Sequence, residues 1–253
     1  MKPKLQPHIM ISKSSPFVLL PGDPGRVLRI KKFLKSSKQI AFNREYRTII
    51  GFYKGVEVTV TSTGIGGPSL AIALHELVKC GGKYFIRVGS CGSLQNYLKI
   101  GDLIIPNKVY KDDGTSKLFS KTKFVKPSKR VYDALIQSAK KTSNIRFFTG
   151  INRSHDCFYL KNQKKISEEF HKKGFLSEEM EAATLFSMSK YLGVEAGAVL
   201  NCVDTFSQKP EEGIKEYALK NKKAMLGEKN EIIVSLEALK KISRGEKNSK
   251  RKN

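Results

Sequence analysis

The amino-acid sequence predicts an α/β domain built on a mixed, largely parallel β-sheet with helices on both sides. Three observations carry this expectation. Short apolar runs such as "PFVLL", "YFIRV" and "EAGAVL" alternate with longer amphipathic stretches, the pattern of buried strands joined by helices. Glycine and proline punctuate the boundaries between the two kinds of segment. The 253 residues, 40% of them apolar, are enough for one substantial core, and nothing divides the chain. A single domain over residues 1–253 is expected, with residues 245–253 as a frayed basic tail and no internal repeat.

Taken in order, "PFVLL" is a first strand, followed by the turn "PGDPG" and a helix through "RVLRIKKFL". "REYRTIIGFYKGVEVTVTS" alternates on each side of Lys54-Gly55, as a hairpin does. "GPSLAIALHELVKCG" places Pro68 in a first helical turn and glycines beyond its end. A strand carrying Arg87 then runs into a loop of glycine, serine and cysteine. Further strands are expected at "GDLIIPNKVY" and "IRFFTGINRS", with a helix near "KRVYDALIQSAKK" between them. The last third predicts a helix at "EEMEAATLFSMSKYLG", a strand at "EAGAVLNCVDTF" and a long terminal helix around "NEIIVSLEALKKI".

Composition narrows the function classes. No run approaches the roughly 20 apolar residues of a membrane span. The first 24 residues hold only a five-residue apolar run before Pro21 and no small-residue cleavage site, so no signal peptide is read and a cytoplasmic protein is expected. Cys80, Cys91, Cys157 and Cys202 form no CxxC pair, which argues for reduced, packed thiols and against a zinc site. "HELVK" begins like a zinc helix, but Lys79 replaces the second histidine. The 47 lysines and arginines against 23 acids give a formal charge of +24, which alone would suggest a nucleic-acid partner. The basic residues are spread out, however, and only the tail "KKISRGEKNSKRKN" is dense, so a solvated surface is the better reading.

The chemistry gathers around Arg87. An unpaired guanidinium is costly to bury, so an arginine in an apolar strand implies an anion beside it, from protein or ligand. In "STGIGGPSLA", Gly64, Gly66 and Gly67 lie between a strand and a helix, where backbone N–H groups can approach an anion. Arg87 and Gly89 stand where a dinucleotide fold would want an acid, and no P-loop lysine is present. "LLPGDPGRV" brings Gly22 and Arg26 to the carboxyl end of the first strand. With Ser90 these arginines could form a phosphate cradle, or they could pair structurally with Asp23 or a helix end. The acids of "SEEMEAATLF", Glu178, Glu179 and Glu181, open a predicted helix; its dipole explains the first two.

"PGDPGR", "NREYRT", "STGIGGPS", "IRVGSCGSLQ" and "EMEAATL", in this order, resemble the hexameric nucleoside phosphorylases, the uridine and purine nucleoside phosphorylases. The resemblance runs from about His8 to Thr205. It implies a three-layer α/β/α sandwich around a central mixed β-sheet, and cleavage of a nucleoside by inorganic phosphate to free base and ribose 1-phosphate. It implies phosphate contacts from Gly22, Arg26, Arg87 and Ser90, with Arg44 reaching in from a neighbouring subunit. His8 would cross the same interface to the ribose 5'-hydroxyl, Glu181 would hold the ribose hydroxyls, and Met180 would pack on the sugar. Ser90 would lie between phosphate and ribose. The catalytic set is then Arg87, Glu181 and Asp204. No cofactor is implied beyond phosphate as co-substrate, although Glu45, Ile65 and Ser69 match a monovalent-cation site of uridine phosphorylases. A homo-oligomer is expected, a hexamer arranged as a trimer of dimers.

For the base, two patterns compete. "STGIGGPS", "DDGTSKLF" and "FYLKNQKK" resemble uridine phosphorylases, with Phe158 to stack on the base and Gln163 and Lys165 at its amide edge. Phe206 stands where that pattern has an arginine. Asp204 instead matches the acid with which purine enzymes protonate the leaving base. More of the chain carries the uridine pattern, so uridine is favoured, with a purine nucleoside phosphorylase as the alternative. A nucleosidase, an inactive relative and a non-catalytic nucleic-acid binder are the further rivals.

Overall fold

In the computed structural model, which describes residues 4–250, short strands and helices follow the predicted alternation. β1 (Phe17–Pro21) leads through Gly22 into α1 (Pro24–Lys31), whose N-cap Asp23 accepts from Gly25 N. β2 (Lys35–Asn43) precedes the hairpin of β3 (Tyr46–Tyr53) and β4 (Val56–Thr61). Lys54 and Gly55 both take positive φ at its turn, which matches the twist of the flanking strands. α2 (Gly67–Lys79) has proline in its first turn, as expected.

β5 (Tyr84–Ser93) is longer than predicted: the residues after Arg87 continue the strand instead of leaving it as a loop. The parallel neighbour β10 explains why, since its pairing with β5 continues to Cys202 opposite Cys91. β6 (Leu103–Asp112), α3 (Gly114–Phe119), β7 (Phe124–Val125), α4 (Lys129–Lys141) and β8 (Phe147–His155) follow. After α5 (Gln163–Lys172), residues Ser177–Glu179 form β9, so α6 (Ala182–Tyr191) starts later than the acid-rich sequence predicted. β10 (Glu195–Cys202), α7 (Pro210–Ala218) and α8 (Lys222–Lys250) complete the described chain.

The strands form one mixed sheet in the order β10-β6-β8-β9-β5-β1-β4-β3-β2, with β7 paired antiparallel to β6 off this path, and a further β10–β5 pairing closes one end on itself. The parallel pairings centre on β5, β1 and β8; β2–β3, β3–β4, β5–β9 and β6–β10 are antiparallel, so the sheet is less parallel than expected. Two apolar clusters lie on its two faces. One packs Leu70, Leu74 and Leu77 of α2 with Leu185 and Phe186 of α6. The other packs Val27 and Ile30 of α1 with Val131 and Leu135 of α4 and Leu236 and Leu239 of α8. This is the predicted three-layer α/β/α sandwich.

Cys80, Cys91 and Cys202 are buried thiols, whereas Cys157 is exposed. The tail expected to fray from residue 245 is helical through Lys250, with Glu246 paired to Arg130 at 2.7 Å; residues 251–253 lie outside the described residues.

Candidate active site

β1, β4 and β5 run parallel and end together, and their carboxyl ends open into a cavity of about 830 Å³. Gly22, Arg26, Arg87, Ser90, Phe158, Gln163, Met180, Glu181 and Asp204 all line it. Residues spread over most of the sequence thus converge on one cavity.

The floor is built from glycine. Gly64 N donates to Gly22 O at 3.0 Å, which locks the loop after β4 to the loop after β1. A Cβ on Gly22 would meet Gly64 O at 3.1 Å, and one on Gly89 would stand 2.7 Å from the Arg87 guanidinium carbon. Gly89 is what lets the Arg87 head fold back over its own strand.

Arg87 is 4% exposed. Its Nε donates to Glu179 at 2.9 Å and its Nη2 pairs with Glu181. Its Nη1 is buried with no hydrogen-bond partner among the described residues, a donor left over in a residue that lines the cavity. Glu179 is the anchor beneath it: it accepts from Asn152 Nδ2 at 3.0 Å, from the Ser154 hydroxyl, and from the backbone N–H groups of Glu181 and Ala182 at the start of α6. Its role is more than the helix-dipole effect expected of it. Glu181 accepts from Gly66 N at 2.5 Å, and burial, opposed by the Arg87 charge, pushes its carboxyl up from the usual range.

Arg26 is 3% exposed and does not pair with Asp23, which instead contacts Arg29 at 2.8 Å. Its side-chain partners lie on α7 and α8, and Nη1 also donates to Val88 O of β5 at 2.6 Å. Nε donates to Glu228 at 3.1 Å, and Nη2 donates to the Tyr217 hydroxyl at 2.6 Å.

On the opposite wall Phe158 stands edge-on to Tyr159, ring centres 4.9 Å apart, beside Gln163. Gln163 Nε2 donates to Glu178 at 3.0 Å, and its Oε1 is buried with no hydrogen-bond partner among the described residues. Glu178, expected only to favour a helix dipole, sits on β9 and pairs with Arg153 at 2.7 Å. Asp204 follows β10, accepts from Ser93 N at 2.8 Å, and is pushed up to about 7, chiefly by burial. Gly213 of α7 lies directly on it: a Cβ there would come within 2.4 Å of Asp204 Cβ.

Some predicted residues lie elsewhere. Lys165 is exposed on α5 and does not line the cavity, because the helical turn that aims Gln163 inward turns it out. Phe206 stacks on His171, ring centres 4.5 Å apart, in a small cluster with Leu94, Phe170 and Phe175, so it fills core space and not the cavity wall. Arg44, exposed with φ 52°, and His8 do not line the cavity of their own chain. Glu76 accepts from the backbone N–H groups of His8 and Ile9, at 3.1 and 2.9 Å, and lies 2.7 Å from His8 Nδ1. The acid of "HELVK" thus orients a histidine. Ser69 Oγ lies 2.6 Å from Glu45 Oε1, and Glu45 and the exposed Ile65 reach the cavity rim.

Sequence reasoning missed His155, Tyr159, Pro210, Ile214 and Tyr217 in the lining. It also missed Glu228 and Glu231 behind Arg26. No local signal marks these acids, since they lie about 200 residues from Arg26 and inside an ordinary amphipathic helix.

Residues 16–230 match the family profile described as the phosphorylase superfamily. A uridine phosphorylase from Thermococcus kodakarensis is 37% identical over 93% of this chain and 85% of its own. A purine nucleoside phosphorylase from Plasmodium vivax is 36% identical over 84% of this chain and 88% of its own. The crystal structure of uridine phosphorylase from Vibrio fischeri superposes with a TM-score of 0.86 at 35% identity, covering 93% of this chain and 97% of that one. With the profile matching most of its length, the chain belongs to the phosphorylase superfamily.

Proposed function

We propose that this protein is a nucleoside phosphorylase that cleaves a ribonucleoside with inorganic phosphate, uridine being favoured. The observation that carries the reading is the unpartnered Arg87 Nη1, buried at the cavity wall beside Gly22 and Ser90 and held there by Glu179 and Glu181. A guanidinium that keeps one buried donor free is suited to an oxyanion. It answers only part of the expectation that Arg87's partner is a substrate, because two carboxylates already share its charge.

In the reaction, a phosphate oxygen forms a bond to the anomeric carbon as the bond to the base breaks, and the bonding electrons leave with the base. Arg87 and Arg26, with Gly22 and Ser90, orient the phosphate. Glu181 and Met180 hold the ribose, whose positive character grows as the bond lengthens, and the Glu181 carboxylate favours that charge. Phe158 offers a face to the base. The free Gln163 Oε1 is an acceptor for an N–H of a pyrimidine, which, with the Thermococcus relative, favours uridine. Asp204 favours the second reading, a purine nucleoside phosphorylase acting on inosine or guanosine. Held partly protonated near pH 7, it can give a proton to the departing base.

His8 and Arg44 complete the site only if a second copy supplies them, so the reading includes a homo-oligomer with shared sites, a hexamer by the family pattern. Glu45, Ile65 and Ser69 are the oxygen donors a monovalent cation would use at that boundary. The protein is read as cytoplasmic; among the described residues no helix is long and apolar enough to cross a membrane. Arg87→Ala tests the phosphate assignment: phosphate-dependent turnover should be abolished while circular dichroism still reports a folded chain. Unchanged turnover would refute it.

A further inference from the structure

The two arginines of the chain's own cavity that are assigned to phosphate are in opposite states. Arg87 keeps a free donor, whereas every nitrogen of Arg26 is engaged. Nε donates to Glu228 Oε2 at 3.1 Å, Nη1 donates to Val88 O at 2.6 Å and lies 3.4 Å from Glu231 Oε1, and Nη2 donates to the Tyr217 hydroxyl at 2.6 Å. Three of the five N–H groups of Arg26 donate within the protein, so a phosphate oxygen that draws on Nε, Nη1 or Nη2 shares that nitrogen with, or takes it from, one of these partners.

Three of them are fixtures of the core. Val88 belongs to β5, and Glu228 and Glu231 on α8 are 2% and 0% exposed. Tyr217 differs. It sits near the end of α7, a helix with one buried residue, Gly213, and its neighbours Pro210 and Ile214 face the cavity. Its hydroxyl donates to Glu228 Oε2 and accepts from Arg26. Burial keeps the phenol protonated, so it is a neutral acceptor, weaker toward a guanidinium than a phosphate oxygen. Its departure leaves no bare buried charge, because Arg29 also holds Glu228, through Nε and through Nη2 at 2.9 Å.

We propose that Tyr217 is a specificity-determining residue for phosphate: its hydroxyl occupies the Arg26 donor that phosphate takes over, so it sets phosphate affinity separately from nucleoside affinity. The inference rests on Arg26 as a phosphate ligand. It assigns α7 a task in the reaction, since the same helix lays Gly213 on Asp204 and thereby links the phosphate end of the cavity to the base end.

The test compares the full-length wild type, Tyr217→Phe, and Tyr191→Phe as an exposed-tyrosine control. Radiolabelled inorganic phosphate is followed by equilibrium dialysis, and KM is measured for phosphate and for uridine or inosine. Tyr217→Phe keeps the ring and removes the competing acceptor, so phosphate Kd and KM should fall about three- to tenfold, the range of one ordinary hydrogen bond. The nucleoside KM and the control should not move. The chain has no tryptophan, so tyrosine dominates its near-ultraviolet spectrum. Phosphate should produce a tyrosine difference signal in wild type that is absent in Tyr217→Phe. An unchanged or raised phosphate KM in the folded variant, or the same difference signal in both proteins, overturns the role of Tyr217 while leaving Arg26 as a ligand. No phosphate binding in any of the three proteins would overturn the phosphate reading itself, and this inference with it.

Discussion

Asp204→Asn separates the two base specificities, because the two readings ask different things of this residue. Burial raises the carboxyl from about 4, the ordinary aspartate value, to about 7. At pH 7 about half the molecules therefore carry a proton that can be given to a departing purine, and that fraction falls about tenfold for each pH unit above. Asparagine keeps the size and can still accept from Ser93 N, but has no proton to transfer. Loss of general-acid catalysis should lower kcat/KM for inosine about 100- to 10,000-fold. Uridine, which needs no proton from this position, should lose much less. The same shift has a stability sign. The folded-state value lies above the unfolded one, so stability is fullest below about pH 4 and declines as pH rises through about 7. The limit is about 4 kcal/mol, from a span of about 3 pH units at about 1.36 kcal/mol each. Asparagine removes that decline. The assay is steady-state base release from both nucleosides between pH 5.5 and 9, roughly the range over which the group titrates, with thermal unfolding in the same buffers. Equal losses on uridine and inosine, or a wild-type inosine profile flat across pH 7, would refute the general-acid role.

Three further outcomes follow from the geometry. Gly89→Ala places a methyl group 2.7 Å from the Arg87 guanidinium carbon, so phosphate KM should rise at least about tenfold in a folded protein, and an unchanged KM would show that Arg87 needs no such room. Glu76→Gln weakens the hold on His8, and the preference for uridine over 5'-deoxyuridine should shrink about fivefold, read from the ratio of the two kcat/KM values; an unchanged ratio would detach His8 from the ribose 5'-hydroxyl. Gly213→Ala pushes α7 off Asp204, which should lower inosine turnover more than melting temperature, and a pure stability loss would contradict the contact.

Much of this site was legible because its chemistry sits in short motifs at strand ends. Gly22 and Arg26 after β1, Gly64 after β4 and Arg87 on β5 are brought together by parallel neighbours, and strand-end convergence follows from the topology. β2 was not legible: "KSSKQIAFN" is an edge strand with few buried positions, so no alternation survives in it. The helix start at residue 178 was misplaced because Glu178 and Glu179 look like first-turn acids. In the fold they face Arg153 and Arg87 from a three-residue strand, a pairing that only the closed end of the sheet creates. Phe206 looked like a loss in the base site, and its stacking on His171 depends on α5, which was not read as a helix. The acids that hold Arg26 come from the far end of the chain, where nothing local distinguishes them from a solvated face.

The most direct test is base release from uridine and from inosine, measured side by side with and without inorganic phosphate. Phosphate-dependent release, strongest on uridine and accompanied by ribose 1-phosphate, is the predicted result. Release that does not need phosphate, or none from either nucleoside, would contradict it.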